Sequence, residues 1–556
     1  MQLARREVGS NTSPARRPPT APATRSAPRP DLDLTLGRAE VLIVAAVLLA
    51  GLLVRVWRLD LAQVQFDESD AASIVMAWRL AGVFPLAGTV SSIGLAFPPA
   101  WPYVVALGLL LNPSPYALLA VGIVWGMLTL GVCWWVGRRW LGRWGGLGAA
   151  IFYAGGFFPV LLGRSAWQPA FLPLVALLYL DALLLLAVKR RPWALPVACG
   201  WFVLLVQFHF AAALYVVLLP VAAWPARRVV GPRHLAATAL AVLVGLLPFV
   251  LYELHPDVRF RDLTGILAAP SSSSTPVVDL AVFNYLRNLS SNAGALGLAN
   301  PSADGLRPLL GRWSSAAQLG SLLVLAGAVA AGVCWPRGWR AGLLVGWLVL
   351  PQLVLLRHSL DVLLHYFYAD VPVLALLAGS LLAAVHRIRA LRLAVLGALG
   401  MYVAASLGTL LVLLNYVAVA DVHKGYGIPV RDSLEAGRAT RAVLPPGAPV
   451  LLAGHHFEAE ILRFTIGYQV PARVFDDCLD LPYVPGAVYV LMSEQTPAAA
   501  LLPAAGAPLL ARVPRPGDAY LVFAAPPTPP ATAALGSFPE AASQECQDRR
   551  VWGHAS

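Results

Sequence analysis

Charge is scarce in this sequence. Of its 556 residues, 13% are Asp, Glu, Lys or Arg, about half the usual ~25%, while 58% are hydrophobic and the mean hydropathy is +0.68. So little charge cannot cover a compact core with polar surface, which excludes an ordinary water-soluble enzyme. Cysteine is sparse as well: Cys133, Cys199, Cys334, Cys478 and Cys546 form no CxxC pair and no metal-ligand spacing. Three of them lie in apolar runs, which leaves Cys478 and Cys546, in the polar C-terminal part, as the pair open to disulfide formation or to remaining free. A Walker loop, a dinucleotide fingerprint, an HExxH pair and a nucleophile elbow are all missing from the contexts they require. The net charge of +12 comes without a basic helix, a zinc finger or an aromatic RNA-binding signature, so nucleic acid is not an expected partner.

What is present is a series of long apolar runs, the mark of a polytopic α-helical membrane protein. Residues 1–40 are rich in Pro, Ala, Ser and Arg and read as a disordered tail. Arg5, Arg6, Arg16, Arg17, Arg25, Arg29 and Arg38 precede the first apolar run, Val41 to Trp57, which places the N-terminus in the cytoplasm. Further expected spans are 116–137, 144–163, 169–188, 193–208, 210–226, 234–252, 316–335, 341–356, 366–385 and 391–417, about eleven in all. Alternate connections are basic (Arg138, Arg139 and Arg143; Lys189, Arg190 and Arg191; Arg227, Arg228 and Arg233; Arg337 and Arg340; Arg387, Arg389 and Arg392) and therefore cytoplasmic. The weakest division falls between Gln207 and His209. The external connections 58–115 and 253–315 are long, and within the first, Pro98 to Leu111 is apolar but too short to span, as an interfacial helix would be. The expected organisation is a transmembrane domain over 41–417, a small external α/β domain over 418–525 and a Pro/Ala-rich tail over 526–556.

The chemistry-bearing residues collect at the external face. Phe66-Asp67-Glu68-Ser69-Asp70 opens a helix directly after the first span. Its carboxylates can bind a divalent cation or take a proton from an attacking hydroxyl; Asp67 can equally cap the helix, with Asp70 favoured by the helix dipole. These roles are compatible. Gly163-Arg164-Ser165-Ala166-Trp167-Gln168-Pro169 is a tight external connection in which Arg164 either pairs with a phosphate or anchors the interface beside a belt tryptophan. Gln207 and His209 sit in a strongly apolar stretch, where a histidine serves either as an interhelical hydrogen bonder or in the site. Arg357-His358, Asp361, His365-Tyr366-Phe367-Tyr368 and Asp370-Val371-Pro372 suit an aromatic belt or a lipid-linked phosphate sugar. His455-His456-Phe457-Glu458-Ala459-Glu460 either faces solvent or binds metal.

In this order, the motifs resemble the GT-C superfamily of membrane glycosyltransferases, in particular the glycosyltransferase family 39-like branch with lipid A aminoarabinose transferases, galacturonosyl transferases and protein O-mannosyltransferases. Asp67-Glu68 resembles its first-loop acidic motif, Phe97-Pro98-Pro99 with Tyr103 the diproline start of its second interfacial helix, and Asn112 to Gly142 the span that follows. Gly163-Arg164 through Pro169 and His365-Tyr366 through Pro372 resemble two later motifs. The sequence departs at Phe97, where relatives often carry a basic residue, at Gln168-Pro169, where aminoarabinose transferases carry an acidic one, and at His365, where Arg is usual. The resemblance implies transfer of a sugar from a polyprenyl-phosphate donor to a lipid, glycan or protein acceptor on the outer face of the inner membrane, by inverting displacement. Asp67 would be the base, or the metal ligand if a divalent cation takes part, supported by Glu68. Arg164, His365, Tyr366, Arg357, Asp70 and His209 would bind substrate and phosphate. The reading from another class is a polytopic transporter or flippase of a lipid-linked or envelope substrate, which usually places its charges near the bilayer midplane.

Overall fold

A backbone group in lipid has no water to bond, so each long apolar run closes its hydrogen bonds within itself as a helix. In the computed structural model the described residues are 37–64, 66–91, 94–258, 277–335, 338–358, 362–423, 425–453, 456–475 and 481–528. Most of the Arg-rich tail, Arg337, Asp361, Lys424, His455, Cys478, Cys546 and the chain beyond 528 lie outside them. Among the described residues, seven helices are long and apolar enough to cross a membrane: Arg38–Val56 (α1), Pro115–Leu141, Gln168–Lys189, Pro232–Glu253, Trp313–Cys334, Leu364–Val385 and Arg389–Val417. Ala194–Phe208, Phe210–Ala226 and Trp339–Leu355 are apolar and shorter.

The remaining expected span, 144–163, is broken at Gly156 into Arg143–Gly155 and Phe157–Leu162. Gly156 is extended there, and a Cβ on it would come within 2.5 Å of the Tyr402 hydroxyl. Between Ala194–Phe208 and Phe210–Ala226 the chain turns at His209, whose backbone is extended (φ −164°) and whose Nδ1 accepts from the Ala211 N–H at 3.2 Å. That local cap takes the place of the interhelical bond considered for this residue.

The first long connection supplies two short helices. Phe66–Ala81 (α2) carries Asp67 and Glu68 in its first turn, where the helix dipole favours negative charge. Ala100–Leu109 (α3) has 10 residues, about 15 Å of helix, too short to span. Its Trp101 is buried while Leu107 is exposed, the pattern of a helix lying against the bundle at its rim. We number Pro115–Leu141 as α4. Its glycines admit the later connection: a Cβ on Gly122 would lie 2.2 Å from the Ser165 carbonyl oxygen, and one on Gly126 2.7 Å from the Gly163 Cα.

After Val417 the chain builds a small domain on a five-stranded sheet in the order β4-β3-β5-β7-β6. Its strands are β3 Val450–Ala453, β4 Ala472–Phe475, β5 Val488–Leu491, β6 Leu509–Arg515 and β7 Asp518–Ala524, after a two-stranded ribbon, β1 Val277–Val278 with β2 Arg357–His358, in the membrane part. β3 pairs in parallel with β4 and β5, whereas β7 runs antiparallel to β5 and β6. Central strands β3 and β5 are buried on both faces, as parallel strands covered by helices require. Ile461 and Leu462 of helix His456–Ile466 cover one face, and Leu501 and Leu502 of helix Pro497–Ala504 the other.

This domain is docked on the acidic loop. The Val430 N–H donates to the Ala62 carbonyl at 2.9 Å, and the Tyr426 hydroxyl to the Leu61 carbonyl at 2.8 Å. Beyond helix His456–Ile466, the Tyr468 hydroxyl donates to the Ser69 carbonyl and accepts from Ser73 Oγ, both at 3.2 Å.

Candidate active site

The connection 163–168 organises the site. The α4 glycines let its backbone approach, and the buried Trp101 indole of α3 donates to the Ala166 carbonyl at 3.0 Å. Two side chains of this fixed connection reach the acidic turn of α2. Trp167 Nε1 donates to Asp67 Oδ2 at 2.5 Å, and Ser165 Oγ donates to Glu68 Oε1 at 3.1 Å. The carboxylates thereby diverge: Glu68 is fully buried, Asp67 half-buried. Among the described residues Asp67 Oδ1 has no hydrogen-bond partner. Burial raises the Asp67 carboxyl to about 6 against a pull downward from the Trp167 bond. A carboxylate tuned to that range is a general base near neutral pH.

Aromatic rings continue outward from Trp167. His365 meets it edge-on at 5.1 Å between ring centroids, Tyr368 does so at 5.9 Å, and His209 lies 5.0 Å from His365 and 5.2 Å from Tyr366. Phe97, before the diproline, stacks on Phe210 at 4.4 Å and stands 6.0 Å from His209. Asp67, His209 and the adjacent His365 and Tyr366, from three distant stretches of sequence, are thus linked through Trp167. Beneath, Gln168 Nε2 donates to the Gln207 carbonyl at 3.3 Å, tying this connection to the end of the helix before His209.

The other expected site residues are placed differently. Arg164 is only 2% exposed and turns inward, donating from Nη2 to the Arg58 carbonyl at 2.7 Å. Among the described residues its Nε and Nη1 have no hydrogen-bond partner, and burial lowers its affinity for a proton, opposed chiefly by Tyr426 and Asp60. Asp70 is half-buried one turn beyond Asp67. Arg357 is exposed on β2 and joins none of the ring contacts. A divalent ion would find a poor donor set: one Asp67 oxygen is engaged by Trp167, Glu68 is turned inward, and no group of three His, Cys, Asp or Glu gathers among the described residues.

In the sequence Trp167 reads as a belt residue, and only its place inside the connection 163–169 hints at its part as the partner of Asp67. Tyr468 gave none, being 399 residues from Ser69.

A helical bundle whose first connection carries an acidic helix beneath a C-terminal sheet domain is a fold shared with proteins of known structure. The chain is similar to ArnT from Cupriavidus metallidurans bound to undecaprenyl phosphate, at TM-score 0.57 and 17% identity over 87% of this chain and 97% of that one. The apo state of the same ArnT matches at TM-score 0.56 and 16% identity, over 87% and 97% of the two chains. An oligosaccharyltransferase from Archaeoglobus fulgidus, at TM-score 0.46 and 13% identity over 82% of this chain and 68% of the other, is too distant to establish a shared fold. No family model matches the sequence, and no curated protein matches it significantly.

Proposed function

We propose that the protein is an integral membrane glycosyltransferase that moves a sugar from a polyprenyl-phosphate donor to a hydroxyl of a lipid, glycan or protein acceptor. One observation carries this reading: Asp67 is held by Trp167 with one oxygen free, among His365, Tyr366 and His209, on a fold whose solved counterpart was crystallised with undecaprenyl phosphate. Asp67 Oδ1 takes the acceptor's proton as its oxygen attacks the anomeric carbon. The bond from that carbon to the donor phosphate breaks with inversion, and polyprenyl phosphate leaves with the electron pair. Arg164, a buried positive charge in the same connection as Ser165 and Trp167, counters the leaving phosphate through a poorly hydrated medium. His365 and the surrounding rings cover the sugar and the first carrier units. In this reading the site lies at the external face of the inner membrane, with the N-terminus cytoplasmic and the C-terminal domain external, an orientation supported by the arginine-rich connections at the other end of the bundle.

The test is transfer of a radiolabelled sugar from synthetic polyprenyl-phosphate donors into envelope acceptors, with the wild type and Asp67→Asn in liposomes. A base contributes about 10²–10⁴-fold, so the variant should insert and fold normally yet lose transfer by that factor. Wild-type transfer by a folded Asp67→Asn protein would sink the role. No transfer by the wild type across a broad donor and acceptor panel would turn the reading toward transport.

A further inference from the structure

At the opposite end of the bundle a cleft of about 730 Å³ opens between the end of helix Leu172–Lys189 and the residues Trp335, Gly338, Trp339 and Arg340. It is lined by Ala187, Val188, Arg190, Trp335, Trp339 and Arg340. It is separate from the candidate active site: the continuous segment Gln168–Lys189 has 22 residues, about 33 Å at 1.5 Å per residue, so its two ends lie one hydrocarbon thickness apart. Neither arginine lining it has an ion pair among the described residues. The Arg340 guanidinium lies 5.9 Å from the centre of the Trp140 ring. Arg190 is exposed and holds the left-handed conformation (φ 50°) that glycine commonly supplies after a helix. The neighbouring arginine Arg139, by contrast, is satisfied by Asp181 at 2.9 Å. Two arginines without an ion pair among the described residues therefore line this cleft, at a depth where two indoles mark the membrane–water boundary.

We propose that this cleft binds the headgroup of an anionic glycerophospholipid from the leaflet opposite the active site. Guanidinium groups match phosphate oxygens in a forked geometry that lysine lacks. The indoles offer N–H donors to the glycerol region while Ala187 and Val188 meet the start of the acyl chains. Basic clefts between spanning helices on the positively charged side are the usual setting for such lipids. Phosphatidylcholine, whose phosphate is already balanced by its own cation, should be retained more weakly.

The full-length protein, purified in neutral detergent, would be titrated with phosphatidylglycerol, with phosphatidylcholine of the same chains and with inorganic phosphate, and read by native mass spectrometry and hydrogen exchange. Phosphatidylglycerol should bind several-fold tighter than phosphatidylcholine and protect amides near 187–190 and 338–340. Arg190→Gln with Arg340→Gln should lose that preference, each arginine contributing about fivefold, while sugar transfer in neutral detergent stays unchanged. Equal retention of the two lipids by the wild type, protection elsewhere, or displacement of the lipid by millimolar inorganic phosphate would each overturn the proposal. The wild-type titrations decide it even if the double variant fails to fold.

Discussion

At the scale of single residues, the site turns on how Asp67 is held. Burial lifts its carboxyl from 3.8 to about 6, and the Trp167 N–H pulls the other way. Its ionisation therefore opposes folding: the penalty is absent below pH 3.8, grows through about 6 and is complete above. Asp67→Asn is thus expected to be at least as stable as the wild type at neutral pH, measurable by thermal unfolding in detergent, which separates lost chemistry from lost fold. In the wild type, kcat/KM should fall as pH drops through about 6, because the protonated acid cannot accept a proton. Trp167→Phe keeps a ring beside His365 and removes the donor. A hydrogen bond to a charged group is worth about 1.5–3 kcal/mol, and about 1.4 kcal/mol is one pKa unit, so the acid limb of the pH profile should move up by roughly one unit or more. An unmoved limb would mean that the titrating group is not Asp67.

At the scale of elements, what the sequence disclosed follows from what leaves a local pattern. Apolar length marks helices well, and each expected span is helical in the structure, including α1 and the paired segments on either side of His209. α3 was legible as an interfacial helix because Pro98-Pro99 starts it and its length fails to span. The acidic turn is legible as a cluster of carboxylates at the head of a helix, where a cap and a catalytic role read alike. Arg164 was harder: a charge at a helix connection reads as reaching outward, whereas Gly122 and Gly126 draw the backbone in until the guanidinium lies beneath Arg58. Those glycines support a prediction of their own. At Gly122 the obstructing atom is the Ser165 carbonyl oxygen, 2.2 Å from an added Cβ, and backbone cannot swing aside as a side chain can. Gly122→Ala should push the connection 163–168 away from α4, loosen both the Ser165–Glu68 and Trp167–Asp67 bonds, and reduce kcat more than KM. Gly131→Ala, on the same helix with open space around it, should leave transfer near wild type in the same assay.

At the scale of the whole molecule, the C-terminal domain is a structural neighbour of the catalytic turn as well as a cap over the bundle. Composition revealed that a mixed domain begins after the last span, but contacts between stretches hundreds of residues apart leave no trace in either stretch, and so its seat on the acidic loop was not legible. That seat has two parts. Backbone pairing joins residues 62–64 to 428–430 just before α2, and Tyr468 holds the first turns of α2 through Ser69 and Ser73. The second part acts on the helix that carries Asp67, two residues from its bonded carbonyl. Each neutral hydrogen bond contributes about 1 kcal/mol net, and two bonds on one hydroxyl do not add independently. Tyr468→Phe is therefore expected to lower stability by about 1–2 kcal/mol and, by letting α2 drift, to lower kcat several-fold with little change in donor KM. Removing the chain after Val417 takes away both parts at once and exposes the 61–64 backbone. The truncated bundle should still insert, as judged by protease protection of its loops, but transfer should fall far more than in Tyr468→Phe. If the truncated protein instead kept full transfer, the domain would serve the acceptor or the envelope alone, and the Tyr468 contact would be a fastening with no part in setting Asp67.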